Sequence, residues 1–153
     1  MANYNLRNLM TFFKPLLLII TLLINQDILA QKYISPFDFN ILLSGTFGEL
    51  RTNHFHAGID IKTEGVEGQK VRAIADGYVS RIKVSTWGYG KAIYLTHPET
   101  GHTSVYAHLQ KFNSKINNLV KKEHDKQESF EINFFPNKDA LLIEQGEIIA
   151  LSG

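Results

Sequence analysis

The most constraining feature of this sequence is a series of short alternating segments between residues 71 and 109, separated by turns that contain glycine and proline. VRAIADGYVSRIKVST carries an Asp76-Gly77 bend signal in its middle, and WGYG interrupts the pattern after it. KAIYLTH and HTSVYAHL follow, joined by PETG. Such alternation is typical of β-strands, and several strands at close spacing predict an all-β domain, an antiparallel sheet or a barrel-like arrangement.

One segment, residues 113–128, departs from this rhythm. Ile116, Leu119 and Val120 recur there at helical spacing among lysine and acidic residues. We interpret it as an insert between strands that forms either a short amphipathic helix or a charged loop. SFEINFF then alternates again, and LLIEQGEIIALSG is predicted to form another strand pair. The chain has 153 residues, enough for one domain, which we place at residues 31–153.

Residues 1–30 differ from the rest of the chain. Arg7 and Lys14 give a basic beginning, PLLLIITLLI is apolar apart from one threonine, and Ala30 precedes Gln31. This order is typical of a secretory signal peptide, and the apolar run is short for a membrane span, which needs about 20 residues. We therefore expect export with cleavage near Gln31. An uncleaved membrane anchor is the alternative, because Asp27 and its bulky neighbour fit a cleavage site poorly.

Charge and cysteine content narrow the classes of function. The formal net charge is +1, which gives no electrostatic case for binding nucleic acid. The chain has no cysteine, so it has neither disulfides nor thiolate metal ligands. Any metal ion must be held by histidine, carboxylate or backbone oxygen.

The segment HFHAGIDIK, residues 54–62, offers such ligands. If it is a strand, its apolar residues lie on one side, while His54, His56, Gly58 and Asp60 lie on the other. Gly58 would leave a gap in which a cation contacts His56 and Asp60, and both are ordinary zinc ligands. The pair alone is a weak signal, and a solvent-facing polar row is the simpler interpretation of it.

The surrounding motifs strengthen the metal hypothesis. HFHAGIDIKT, VRAIADGYVSRI, WGYGKAIYLTH and TSVYAHLQ occur in this order. Together they resemble the lysostaphin-type (LytM-type) zinc metallopeptidases, which cut the peptide part of bacterial peptidoglycan. The resemblance covers residues 47–112 and resumes more weakly at EQGEIIALSG. The wording FGELRTNHFHAGIDIKT resembles the branch found in exported proteins of Gram-negative bacteria, which implies the periplasm or cell envelope.

The resemblance implies a β domain of the duplicated hybrid motif type and roles for three residues. His56 and Asp60 correspond to two zinc ligands, and His108 in YAHL to the histidine that polarises the substrate or stabilises the oxyanion. Along that strand we expect Val105, Ala107 and Leu109 to form the buried row, with His108 on the opposite side.

The resemblance also implies parts that the sequence does not contain. In the family a later His-x-His supplies the third zinc ligand and the general base, and the sequence ends at Gly153 before such an element. We expect an incomplete domain whose last strands are missing, and an EIIALSG strand with an exposed edge. Some relatives lose ligands and bind the cell wall or activate other wall hydrolases, so a non-catalytic role is the alternative.

Five further residues have open or modest roles. We interpret His54 as a solvated strand residue, with a secondary role in the site as the alternative, and His97 as structural. Arg51 either orients a substrate carboxylate or solvates a turn. Trp87 and Tyr89 flank Gly88 in a loop that either lines the cleft or packs.

Overall fold

The computed structural model describes residues 33–153, and the predicted leader at residues 1–30 lies outside this range. Within this range the strands are β1 (Leu43–Gly45), β2 (Asp60–Ile61), β3 (Lys70–Arg72), β4 (Gly77–Val84), β5 (Lys91–His97), β6 (His102–Tyr106), β7 (Leu109–Phe112), β8 (Ile132–Phe134), β9 (Leu142–Ile143) and β10 (Ile148–Ser152), and the helix is α1 (Ser114–Gln127). Every strand pairing is antiparallel, which confirms the all-β prediction.

The largest sheet carries most of the hydrophobic core. Its strands run in the order β6-β5-β4-β8, and β9 pairs with the beginning of β4. Val79, Ile82 and Val84 of β4 are buried, as are Ile93 and Leu95 of β5. The spacing of the buried β4 residues is uneven because the register with β5 shifts directly after Val79. A β-bulge of this kind inserts one residue and returns the later apolar side chains to the core face.

The second sheet has three strands in the order β3-β10-β7. β10 is therefore the central strand, with Ala150 paired to Val71 on one side and to Phe112 on the other. The expectation of an exposed edge at EIIALSG was wrong, because β3 and β7 cover both of its edges. The predicted strand pair also differs, since β9 and β10 join different sheets.

The helix α1 occupies the segment predicted as an insert. It begins after Asn113, whose Oδ1 accepts a hydrogen bond from the backbone N–H of Ile116, and ends at Glu128 in the left-handed conformation. Ile116 and Val120 are buried, so one face of the helix packs on the core. Within residues 33–153, no helix has both the length and the apolar character to cross a bilayer.

Residues 54–62 do not form the predicted continuous strand. Only Asp60 and Ile61 are β2, which pairs with β1, and Phe55 makes a single bridge to Leu50. The predicted apolar row is not on the core, since Phe55 is 69% exposed and Ile59 is 53% exposed. The physical reason is that a two-stranded ribbon buries little: among the described residues no second layer covers this face.

Candidate functional site

The two predicted metal ligands lie next to each other. Nε2 of His56 is 3.3 Å from Oδ1 of Asp60. The chain bends at Gly58 between them, and a methyl group added there would lie 3.8 Å from Nε2 of His56. Because Gly58 has no side chain, there is free space beside the imidazole of His56. The bend brings together two residues that a straight strand would hold farther apart.

A backbone carbonyl orients the imidazole of His56. Nδ1 lies 3.1 Å from the carbonyl oxygen of Thr46, which can only accept a hydrogen bond. Nη2 of Arg51, which can only donate, lies 3.4 Å from the same Nδ1. The shorter contact to Thr46 favours a proton on Nδ1, which leaves the lone pair of Nε2 toward Asp60. Metal-binding histidines commonly use this arrangement, in which the second ring nitrogen donates to a carbonyl or carboxylate.

Arg51 holds the other oxygen of the carboxylate. Nη2 of Arg51 lies 2.7 Å from Oδ2 of Asp60 and 3.3 Å from a carboxylate oxygen of Glu49. The hydrogen bond to Asp60 raises the pKa of Arg51, so the guanidinium stays charged. Neither sequence interpretation of Arg51 describes this contact, because its main partner is the predicted ligand itself.

His108 lies in the same cleft as His56 and Asp60. This cleft has a volume of about 600 Å³, and Tyr89, Ser104 and Tyr106 line it as well. His108 is exposed and has a φ of 52°, a conformation that costs energy for a residue other than glycine. Such residues cluster at functional sites, where their surroundings hold them in place.

Two backbone hydrogen bonds fix the conformation of His108. Its N–H donates to the carbonyl of Tyr89, and its carbonyl accepts from the N–H of Gly153, both at 3.0 Å. The ring of Tyr89 also meets the imidazole edge-on, with centroids 6.3 Å apart. These contacts join His108 to the loop of Tyr89 and to the residue that follows β10, and hold its side chain at the cleft.

The predicted alternation around His108 was wrong at Val105 and Tyr106, whereas Leu109 is buried and His108 is exposed as predicted. Val105 is 47% exposed, whereas Tyr106 is 8% exposed. β6 ends at Tyr106 and β7 begins at Leu109, so His108 lies in the break between two strands that belong to different sheets. A side-chain alternation cannot be continued across such a break, and this is why the pattern failed here.

A buried polar chain lies behind the cleft. His97 is 1% exposed, its Nδ1 lies 2.7 Å from the carbonyl oxygen of Asp76, and its Nε2 lies 2.8 Å from Oγ of Ser104. Ser104 also contacts the hydroxyl of Tyr106, which accepts a hydrogen bond from the N–H of Ile74. These contacts support the structural interpretation of His97, because both of its ring nitrogens have partners within the fold.

His56 and Asp60 fit a zinc ion as two of its ligands. Ligands about 2.0–2.1 Å from a tetrahedral zinc lie on the order of 3.3 Å apart, which is the separation of these two atoms. Their chemistry also fits, since imidazole and carboxylate are both ordinary zinc ligands. Within residues 33–153, however, no group of three or more histidine or carboxylate side chains is placed to hold one metal ion.

Other flagged residues lie elsewhere. His54 is exposed near the turn of the hairpin, where its Nδ1 contacts Oδ1 of Asn53, and it does not line the cleft. His124 lies on α1 beside the ring of Phe130. Trp87 is 82% exposed and is not a cleft residue, although Tyr89 in the same loop is.

Thr46 and Glu49 were missed by sequence reasoning. Thr46 acts through its backbone carbonyl, which no residue type reveals. The carboxylate of Glu49 contacts Arg51 and the backbone N–H of Thr46, so the available signal was an acid two positions before a base in a short turn.

Comparison with known proteins gives one match. Residues 54–125 match the family described as Peptidase family M23. The matched segment contains His56, Asp60 and His108, whereas Gly45, Glu49 and Arg51 precede it. No curated protein and no solved structure matches the chain.

Proposed function

Through residues 54–125 the chain belongs to peptidase family M23, and from this premise we propose that it is a zinc-dependent endopeptidase that hydrolyses peptide bonds in bacterial peptidoglycan. The observation that carries the proposal is the convergence of His56 and Asp60, 3.3 Å apart, in a cleft that His108 also lines. A bound zinc ion supplies Lewis-acid polarisation of the scissile carbonyl and activation of water.

His56 and Asp60 would hold the metal in this proposal. Nε2 of His56 has its lone pair available in the tautomer whose proton is on Nδ1, beside the carbonyl of Thr46. Oδ1 of Asp60 is the free carboxylate oxygen, since Oδ2 is bonded to Arg51. A third protein ligand has to come from outside the described residues, because residues 33–153 contain no group of three.

His108 is the proposed catalytic residue. An imidazole N–H at the cleft can donate to the oxygen of the scissile carbonyl as negative charge develops on it. Its backbone is already held by Tyr89 and Gly153, so the donor requires little reorganisation during the reaction. The cleft of about 600 Å³ has room for a short peptide.

The alternative is a non-catalytic relative that binds the cell wall or activates another hydrolase. One observation favours it: the described residues converge on two possible metal ligands rather than three. The retention of His108 in a strained conformation at the cleft favours the enzyme.

We also propose that the protein is exported to the periplasm or cell envelope. The basic beginning of the chain, its apolar run and Ala30 support this proposal. A substrate in the cell wall requires the same location.

The test is digestion of isolated peptidoglycan by the protein purified from its complete natural reading frame, with mass spectrometry of the soluble peptides, because the third ligand has to come from outside residues 33–153. We expect peptide release that a chelator stops and added zinc restores. The His56→Ala and Asp60→Ala variants should release nothing, while His54→Ala should stay active. Binding to peptidoglycan without peptide release would favour the non-catalytic alternative. The absence of both binding and peptide release would reject both functions.

A further inference from the structure

The carboxylate of Asp60 is held on one side by the protein. Its Oδ2 is bonded to Nη2 of Arg51 at 2.7 Å, and its Oδ1 faces Nε2 of His56. The two oxygens therefore have different environments. A carboxylate free to rotate about its terminal torsion would offer either oxygen, or both, to a metal ion.

The packing leaves room for this pair only because Gly45 has no side chain. Gly45 of β1 is the cross-strand partner of Asp60. A methyl group at Gly45 would meet Oδ2 of Asp60 and Nη2 of Arg51 far inside van der Waals contact. The carboxylate and the guanidinium thus meet directly over the backbone of the neighbouring strand.

One hairpin, residues 46–56, supplies the groups that orient both ligands. Its carbonyl at Thr46 lies 3.1 Å from Nδ1 of His56, and its Arg51 bonds Asp60. The hairpin is closed by backbone hydrogen bonds between Gly48 and His56 and between His56 and Glu49, all at 2.8 Å. The orientation of the two ligands is therefore coupled through a single local structure.

Arg51 contacts two carboxylates, so the three groups together carry a net negative charge. An isolated guanidinium beside a metal site would repel a cation, but Arg51 also contacts Glu49 at 3.3 Å. Glu49 compensates the positive charge of Arg51, so the negative charge of Asp60 remains for the metal. The interpretation of Arg51 as a substrate-carboxylate contact loses support, since two carboxylates of the protein already engage this group.

We propose that Arg51 is a positioning residue that holds Oδ2 of Asp60 over Gly45, so that Asp60 offers Oδ1 alone to the metal ion. This inference rests on the proposed function, because it presumes a metal at His56 and Asp60. Outer partners of metal ligands typically contribute 10–100-fold to metal affinity. Neither Arg51 nor Gly45 lies in the segment that matches the peptidase family.

The first experiment measures the zinc affinity of the protein purified from its complete natural reading frame, by competition with a chromophoric chelator. Arg51→Met keeps the aliphatic stem and removes the guanidinium, and we expect a loss of affinity of about 10–100-fold. Arg72→Met is the control, since Arg72 likewise forms an ion pair, with Asp38, and does not line the cleft. Thermal unfolding in excess chelator should show similar effects of the two substitutions.

Two further variants separate positioning from general structure. Arg51→Lys retains a charge without the planar fork, so we expect intermediate affinity. Gly45→Ala should displace the carboxylate and weaken zinc binding while Arg51 is intact. In the cobalt-substituted protein, the visible absorption of the bound ion should change in Arg51→Met and stay unchanged in Arg72→Met, because it reports coordination geometry.

The outcomes distinguish this inference from the proposed function. If the wild type binds zinc and Arg51→Met has the same zinc affinity and the same cobalt spectrum, the positioning role alone is overturned. An equal loss of affinity in Arg72→Met would also overturn it, because the effect would then be general. A wild-type chain that binds no zinc would reject the proposed metal site and this inference together.

Discussion

Nε2 of His56 lies 3.3 Å from Oδ1 of Asp60, although the two residues belong to different local structures. His56 ends a hairpin that returns on itself through Leu50 and Phe55, and Asp60 begins β2. The bend at Gly58 joins them. The position of the pair therefore depends on both the hairpin and β1, and a change in either should alter the separation of His56 and Asp60.

Loss of either ligand should remove the metal. We expect His56→Ala and Asp60→Asn to abolish zinc retention, because each leaves one protein ligand among the described residues. The measurement is zinc content after dialysis, by atomic emission. His54→Ala is the control, since His54 is exposed and contacts Asn53 instead of the cleft. Normal zinc content in His56→Ala would mean that the metal is bound elsewhere.

His108→Ala should separate chemistry from metal binding. We expect kcat for peptide release to fall by about 10²–10³-fold, the usual effect of removing one oxyanion donor, while zinc content stays normal. His102→Ala, an exposed histidine on the neighbouring strand β6, is the control and should retain activity. An unchanged kcat in His108→Ala would exclude this residue from the reaction.

Gly77→Ala should destabilise the fold. A methyl group at Gly77 would overlap the carbonyl oxygen of Thr96 and lie 2.9 Å from Nδ1 of His97. Backbone and a buried ring cannot move aside easily, so we expect the free energy of unfolding to fall by about 1–3 kcal/mol. Gly58→Ala is the matched control, because the nearest atom there lies 3.8 Å away. Urea unfolding of both variants decides this prediction.

Tyr106 should make stability fall at alkaline pH. Burial raises the pKa of Tyr106 in the folded protein, whereas tyrosine in an unfolded chain ionises near about pH 10. The folded state then binds more protons than the unfolded state above that pH. The stabilising contribution is complete below about pH 10 and is lost as the pH rises through the folded-state pKa.

The check is urea unfolding of wild type, Tyr106→Phe and Tyr94→Phe at about pH 8 and about pH 10.5. At about pH 8, Tyr106→Phe should be less stable than the wild type, since the N–H of Ile74 loses its acceptor. Between about pH 8 and about pH 10.5 it should lose less stability than the wild type does. Tyr94→Phe should retain the pH dependence of the wild type. Parallel curves for wild type and Tyr106→Phe would contradict the assignment.

Export predicts a shortened amino terminus. We expect the mature protein from its native host to begin at or near Gln31, because the small residue Ala30 follows the apolar run. Amino-terminal sequencing of the cell-envelope fraction measures this. An intact Met1 on protein recovered from the cytoplasm would end the proposal.

The local pattern of the sequence determined the central strands and the helix. KAIYLTH forms β5 over the predicted residues, and the helical spacing of Ile116 and Val120 places both in the core. The motif around His56 and Asp60 predicted a pair of side chains that the structure brings to 3.3 Å. In each case the information is carried by neighbouring residues, since alternation and helical spacing describe which side chains share a face.

The tertiary structure alone decided which faces are covered and which groups meet. The apolar row at Phe55 and Ile59 stays exposed because no layer packs on its two-stranded ribbon among the described residues, and β10 has both edges paired because β3 and β7 flank it. The contact between Arg51 and Asp60 depends on Gly45, which pairs across the strand rather than along the chain. Periodicity states that a face is apolar, but burial and pairing depend on distant segments that periodicity does not describe.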